Sequence, residues 1–160
     1  MQRFEQIYAE HHEAVRRYVR RRAPETVVDD VVSDTFYVCL RKIDRVPAEP
    51  LPWLYAVARK TLANERRKRS RLTHGEKVVA VEPAPAGDGV LAGAFNALSE
   101  RDREVLRLIA WEGLSLADAA TVLGCSAVAC RVRYHRAKSR LASRLAAAAS
   151  FRPEPKGVTR

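Results

Sequence analysis

The chain has 160 residues, enough for one domain or two small ones, and its 47% apolar content is ordinary for a globular protein. Its 29 Lys and Arg against 19 Asp and Glu give a net charge of +10, which indicates a polyanionic partner. No apolar run approaches the roughly 18 residues of a membrane span, and the three cysteines form no CxxC pair. These features exclude wholesale disorder and membrane insertion, and they predict a soluble cytoplasmic protein.

The positive charge is concentrated in two blocks of the chain. Residues 1–72 hold 16 Lys and Arg against 10 Asp and Glu, and residues 98–149 hold 9 against 5. From Thr73 to about Gly93 the chain is faintly acidic, interrupted by glycine and proline, and without periodicity. Because such a stretch of about 20 residues is too long for an ordinary loop, the sequence predicts two basic domains joined by a flexible linker.

The first block predicts three helices. Apolar residues recur at helical spacing over residues 2–22 and again over residues 25–43. A proline-rich loop follows, and a third helix is expected to begin near Pro52, since proline is favoured at the first helical position. That helix ends in residues 65–71, which carry five positive charges and are predicted to contact phosphates.

The second predicted helix has a polar face that suggests a docking surface. Asp30, Asp34 and Tyr37 recur at helical spacing opposite its apolar stripe. Carboxylates near a helix start are favourable for the helix dipole, but this effect does not account for Asp34 and Tyr37 further along the helix. We therefore predict that this face binds a partner.

The second block predicts a helix-turn-helix. After a helix that begins at Ser99, Ser115 and Asp118 form a capping pair, and Gly124 is suited to end the short helix that follows. Ser126 then caps a last helix that is strongly cationic. Two helices joined by a tight turn, the second of them basic, are typical of proteins that lay one helix in the DNA major groove.

The last helix has an outward face suited to reading bases. Its inward stripe contains Cys130, Tyr134 and Ala137, so that other residues face outward. Arginine commonly reads guanine with two hydrogen bonds, and a valine can contact a thymine methyl group. The base-facing set is predicted to be Arg131, Val132, His135 and Arg136.

Motifs in both blocks resemble the extracytoplasmic-function (group IV) sigma factors of bacterial RNA polymerase, in the sigma-70 family. Residues 29–36 (DDVVSDTF) and 52–59 (PWLYAVAR) are similar to that family's region 2. Residues 98–106, 112–115 and 134–138 are similar to its region 4. A helix-turn-helix alone is common, whereas two motifs in the right order on either side of a linker are a specific signal.

The resemblance implies an all-α protein of two small helical domains. A region 2 helical bundle over residues 1–72 would dock on core polymerase and recognise the −10 element. A flexible linker would occupy residues 73–94, and a region 4 helix-turn-helix over residues 95–149 would recognise the −35 element. Residues 150–160 would form a disordered tail.

The resemblance also implies the function and the partners. The chain would be an alternative sigma factor that directs promoter-specific initiation, without catalysis, metal or cofactor. Its partners would be promoter DNA and core RNA polymerase, through the clamp helices of the largest subunit and the flap of the second, with an anti-sigma factor as a further candidate. It would not insert into a membrane.

The same resemblance assigns roles to individual residues. Those implied to dock on the clamp helices are Asp30, Ser33, Asp34 and Tyr37. Those implied to recognise the −10 element, with residues 45–50 receiving an unstacked base, are Arg45, Val46, Asn64, Arg66, Arg67, Lys68, Arg69 and Arg71. Those implied to contact the −35 element are Ser126, Val128, Arg131, Val132, Arg133, His135, Arg136 and Lys138. The recognition helix departs from the family at Val128 and Ala129, where a small residue and Thr are usual.

Two other functions remain open at this stage. The first is a helix-turn-helix regulator that does not bind polymerase, because residues 98–126 also resemble the DNA-binding domain of quorum-type response regulators. Such proteins usually carry an α/β domain before it, whereas residues 1–72 predict helices only. The second is an enzyme acting on nucleic acid, but the four histidines are scattered and no glycine-rich phosphate loop is present.

Overall fold

The computed structural model describes residues 1–72 and 89–150, and every regular element in these ranges is helical. In chain order the elements are α1 (Gln2–Arg20), α2 (Glu25–Arg41), a single 3₁₀ turn (Ile43–Arg45), α3 (Pro50–Leu72), α4 (Gly89–Asn96), α5 (Glu100–Ala110), α6 (Leu116–Leu123) and α7 (Ala127–Ser150). The predicted all-α fold class is confirmed. The predicted tail after residue 150 lies outside the described residues, as does most of the predicted linker.

Helices α1, α2 and α3 form the first bundle, each packed against the other two. Their buried apolar faces follow the predicted stripes, with Tyr18, Val28 and Leu54 fully buried at its centre. Tyr8 and Leu40, which the periodicity also places in these stripes, are instead about 40% exposed. They lie at the stripe edges, beside a groove between α1 and α2.

The third helix begins earlier than the sequence predicts. Pro50, assigned above to a loop, is the first residue of α3, and Pro52 lies inside its first turn. Because the first-turn amides of a helix have no acceptor within the helix, a proline there loses no hydrogen bond. Two prolines two residues apart therefore fit the start of one helix.

Local signals set the ends of the helices in the second bundle. Each predicted N-cap serine accepts a hydrogen bond from the backbone amide three residues later, at 3.0–3.2 Å. These serines are Ser99, Ser115 and Ser126. Gly124 ends α6 in the left-handed conformation, with φ of 66°. The turn of the helix-turn-helix is therefore confirmed as predicted.

The last six residues of the predicted linker, 89–94, are helical and belong to α4. Phe95 is fully buried and Ala94 nearly so, and α4 packs against α7. The sequence predicted a linker here because of Gly89 and Gly93, since each glycine costs about 1 kcal/mol relative to alanine in a helix. Burial of the apolar side chains between and after them outweighs that cost.

The two bundles pack directly against each other. Helix α3 of the first contacts α6 of the second, and one cluster of buried apolar side chains extends through both. The sequence did not predict this contact. It brings the basic end of α3 close to α5 and α7, which determines the shape of the site described next.

Candidate nucleic-acid interface

The outward face of α7 is a cationic surface. Val128 and Val132 are 73% and 41% exposed, and the charged residues of the same face, including Arg131 and Arg136, are exposed with them. This face points outward because Cys130 and Ala137 anchor the opposite side of the helix in the core. Every predicted −35 residue is exposed, and these are Ser126, Val128, Arg131, Val132, Arg133, His135, Arg136 and Lys138.

Arg140 of α7 attaches this helix to α5 through a single ion pair. The Nη1 of Arg140 donates a 2.7 Å hydrogen bond to Oδ2 of Asp102 on α5, whose side chain is 11% exposed. The sequence indicates Asp102 only as a capping partner of Ser99. In the structure its amide serves the cap while its carboxylate holds α7 against α5.

The basic end of α3 is divided between free and occupied side chains. Lys68 and Arg71 are exposed and have no acidic partner in the part of the chain described. Arg69 is half-buried and its Nε donates to Glu65 at 3.3 Å. The Nη2 of Arg67 donates to Oδ1 of Asn64 at 2.9 Å. The predicted −10 residues of this helix therefore differ in how readily they can meet DNA.

The loop before α3 corrects one prediction. Val46, predicted to contact an unstacked base, is 4% exposed and part of the hydrophobic core. Its carbonyl oxygen accepts a hydrogen bond from Nη2 of Arg3. Arg45 beside it is exposed, as predicted. Val46 is a core residue because the chain must turn inward there to bring α3 back against α1.

The predicted docking face on α2 is exposed along its length. Asp30, Ser33 and Asp34 are exposed, and Tyr37 is 58% exposed with the Arg41 guanidinium 5.8 Å from its ring centroid. This face borders a groove of about 350 Å³ between α1 and α2 that contains several aromatic side chains. The lining aromatic residues are Phe4, Tyr8, His12, Phe36 and Tyr37. Of the predicted docking residues, Ser33 and Tyr37 line this groove.

A buried charge network joins the two bundles, and the sequence does not predict it. The Nε of Arg22, just after α1, donates to both carboxylate oxygens of Glu104 on α5, at 3.0 and 3.2 Å. Its Nη1 donates to Glu112 at 2.9 Å, and Arg21 donates to the other oxygen of that carboxylate, also at 2.9 Å. The side chains of Arg22, Glu104 and Glu112 are 4%, 10% and 3% exposed.

Tyr18 completes this network. Its hydroxyl lies 3.3 Å from Glu104, and the Arg22 guanidinium lies 3.7 Å over its ring. Burial, followed by the Glu104 charge, raises the pKa of Tyr18 well above its ordinary value. Burial alone would lower the pKa of Arg22, but Tyr18 and the two glutamates outweigh that and raise it. Arg22 is therefore always charged at the interface.

Arg66 links the predicted −10 helix to the same interface. Its Nη2 donates to the Arg22 carbonyl at 3.0 Å, and its Nη1 to Glu100 of α5 at 3.2 Å. The three consecutive arginines at residues 20–22 look in sequence like a solvated helix end. No local signal shows that Arg22 meets two glutamates more than 80 residues away.

Two family profiles match the chain, Sigma-70 region 2 over residues 7–72 and Sigma-70, region 4 over residues 89–141. The RNA polymerase sigma factor CnrH of Cupriavidus metallidurans is 34% identical over an alignment of 164 positions, covering 89% of this chain and 86% of that protein. The ECF RNA polymerase sigma factor EcfG of Rhodopseudomonas palustris is 31% identical over 127 residues, covering 73% and 70%. The chain belongs to the ECF sigma factors of the sigma-70 family.

Solved structures show the same architecture. This sigma factor matches RpoE of Bartonella quintana, solved with the anti-sigma factor NepR, at a TM-score of 0.69 and 27% identity, over 91% of this chain and 98% of that one. It matches CnrH, solved with the cytosolic domain of CnrY, at a TM-score of 0.63 and 30% identity, over 92% and 90%.

The sigma factor is thus an alternative initiation factor that binds core RNA polymerase and directs it to promoters. The predicted family is confirmed, and the alternative of a regulator that does not bind polymerase is disfavoured. Within residues 1–72 and 89–150, no helix is both long and apolar enough to span a bilayer.

Proposed function

We propose that the outward face of α7 reads the −35 element as duplex DNA. The observation that supports this most strongly is the exposed run of cations and valines on one side of a helix whose other side is anchored. Cations supply affinity by releasing counterions from the phosphates, and Arg136 and Val132 supply sequence choice at base edges. Ser126 caps the helix at its end nearest the DNA backbone.

The −10 element is held by the loop before α3 and by the basic end of that helix. Arg45, Lys68 and Arg71 are exposed and available, and Asn64 and Arg67 form a hydrogen-bonded pair beside them. Arg66 and Arg69 contribute once their contacts within the protein are exchanged for phosphate. Val46 has no role in DNA contact.

Core polymerase docks on α2. The clamp helices of the largest subunit contact Asp30, Ser33, Asp34 and Tyr37, and the flap of the second subunit contacts the region 4 domain. An acidic face with an exposed aromatic side chain stands out on a chain of net charge +10, and opposite charge steers a basic partner to it. Tyr37 supplies the apolar contact area.

Reading both elements at once requires the bundles to separate. Positions −10 and −35 differ by about 25 base pairs, or ~85 Å of B-form DNA. In the structure α3 and α6 are in direct contact, and Arg66 is bound across the interface. Polymerase binding therefore breaks the network around Arg22, and the linker, proposed to span residues 73–88, allows the separation.

An anti-sigma factor is a further partner of this chain. The sigma factor RpoE, which matches over 91% of this chain, was solved with the anti-sigma factor NepR, and this likeness supports a similar regulator here. The protein acts in the cytoplasm, where polymerase works, and it has no catalytic activity of its own.

Gel filtration with core polymerase and transcription from a genomic library test this proposal. We expect co-elution with core polymerase and initiation at a small set of promoters. Asp34→Lys should reduce core affinity by about tenfold, whereas Glu13→Lys, which makes the same charge change at an exposed position on α1, should not. The proposal fails if the chain does not co-elute or if both variants behave alike.

A further inference from the structure

A cationic cleft of about 560 Å³ lies between the two bundles. Seven Lys and Arg side chains line it, together with only two carboxylates, Glu100 and Glu104. Both carboxylates already have cationic partners, because Glu104 binds Arg22 and Glu100 binds Arg66. The cleft therefore has a large excess of positive charge.

Four of the lining cations have no acidic partner among residues 1–72 and 89–150. These are Arg59 and Lys60 on α3, Arg101 on α5 and Arg133 on α7. They come from both bundles and converge on one cavity. Arg22, which is buried and also lines the cleft, has a donor available for an anion. Its Nη2 has no hydrogen-bond partner in the described structure.

These cations are held together by interactions that do not involve them. The buried pairs of Arg22 with Glu104 and Glu112, and the contact of α3 with α6, keep the bundles in place. Like charges brought together in this way repel one another and lower the stability of the closed arrangement. A bound anion would reverse the sign of that contribution.

We propose that the cleft binds a small oligophosphate, an anion with at least two linked phosphate groups. Guanidinium groups donate paired hydrogen bonds to phosphate oxygens, and cations on several helices can each meet a different phosphate. The volume lies within the usual range for small-ligand sites, about 300–1,000 Å³. A cleft of about 560 Å³ can hold a small anion but is too small to enclose duplex DNA.

Binding of this ligand regulates the sigma factor, a consequence that rests on the separation of the bundles proposed above. Because the ligand contacts cations of both bundles, it binds the closed arrangement and not the open one. A ligand that binds only one of two states shifts the population toward that state. The oligophosphate therefore opposes the opening that promoter reading requires.

Titration calorimetry of the full chain with sodium tripolyphosphate, at physiological salt, tests the site. The double variant Arg59→Ala/Arg101→Ala removes one unpaired cation from each bundle, and neither residue has a proposed role in promoter or polymerase binding. The control Lys42→Ala/Arg144→Ala removes the same charge from exposed positions outside the cleft. We expect at least a tenfold loss of affinity in the first and less than twofold in the second.

Equal losses in the two double variants would show non-specific charge attraction and overturn the site, as would no binding by the unchanged protein up to 1 mM. Orthophosphate should bind at least tenfold more weakly than tripolyphosphate, since it can engage only part of the cation set. Comparison with ATP distinguishes an inorganic oligophosphate from a nucleotide as the ligand. If ATP and tripolyphosphate bind with equal affinity, the cleft recognises the phosphate chain alone; if ATP binds more tightly, it also recognises the nucleoside.

The regulatory consequence has its own measurement. Saturating tripolyphosphate should lower the affinity of the unchanged protein for core polymerase by at least threefold, and should have no such effect on Arg59→Ala/Arg101→Ala. If tripolyphosphate binds in the calorimeter without changing polymerase affinity, the site stands and its coupling to opening is wrong. If polymerase does not bind at all, the proposed function fails while the calorimetric result is unaffected.

Discussion

The exposed cations of α7 and the buried charges around Arg22 use the same side-chain chemistry in opposite ways. Arg131 and Arg136 are exposed, so they can exchange water and counterions for phosphate or a base edge. Arg22 is 4% exposed and is matched by two glutamates that are also buried. We propose that the first set binds DNA, whereas the second set holds the two bundles together in the structure.

The comparison also explains why substituting a buried arginine and substituting an exposed one should change stability by different amounts. A buried pair contributes little net stability, because burial of each charge offsets the attraction between them, but removal of one partner leaves an uncompensated charge. An exposed cation can be removed from the free protein at almost no cost. The two sets should therefore respond differently to substitution, and four experiments test that difference.

The largest effect is expected for Arg22→Ala. It leaves Glu104 and Glu112 without their buried partner, so the free energy of unfolding should fall by about 3–5 kcal/mol, measured by urea denaturation. Arg20→Ala removes a neighbouring arginine whose partner Glu25 is exposed, and should change the free energy of unfolding by less than ~0.5 kcal/mol. Similar losses in both variants would contradict the assignment of Arg22 as the buried member.

Arg136→Ala should leave stability unchanged but cost about 1–3 kcal/mol of binding at one promoter position. The measurement is the affinity of the holoenzyme for a set of promoters with single substitutions in the −35 element. Arg144→Ala, two turns further along α7, is the matched control and should show no dependence on position. A uniform loss with Arg136→Ala would make this residue a phosphate contact.

Alkaline pH separates buried from exposed tyrosines. Burial, aided by Glu112, raises the pKa of Tyr55 to about 12, so the folded protein retains a proton that the unfolded chain releases above pH 10. Stability is therefore fully present below pH 10 and falls above it, by about 1.4 kcal/mol per pH unit for this group. Tyr55→Phe should make the decline between pH 10.5 and 12 shallower by that amount in urea titrations.

Tyr37→Phe is the control for that experiment. Tyr37 is 58% exposed on α2, so Tyr37→Phe makes the same chemical change outside the core. If Tyr55→Phe makes the decline no shallower than Tyr37→Phe does, the raised pKa of Tyr55 in the folded protein is contradicted.

The smallest effect is expected for Arg140→Ala. This residue forms an ion pair between an exposed cation and a buried carboxylate. Arg140 is 59% exposed but its partner Asp102 is 11% exposed, so the loss in stability should be about 1 kcal/mol. Because the pair holds α7 against α5, affinity for the −35 element should fall on all sequences alike. A change in sequence preference would instead identify Arg140 as a base contact.

The candidate interface was predictable wherever the signal is local. The Ser126 cap and the left-handed Gly124 follow from residue type, and the exposure of Arg136 follows from the helical period. Val46 was predicted wrongly because a short loop has no periodicity to show which side chain turns inward. Helix α4 was missed because its glycines resemble a linker, and only burial of Phe95 favours the helix.

By itself the sequence determined the helices, their caps, the turn of the helix-turn-helix and the family. Each of these depends on residues a few positions apart, which repeat at helical spacing or bond to neighbouring amides. Only the tertiary structure decided that Arg22 meets Glu104 and Glu112, and that unpaired cations of both bundles face one cleft. Pairing over more than 80 residues depends on how the packed helices are arranged, and no local pattern along the chain records that arrangement.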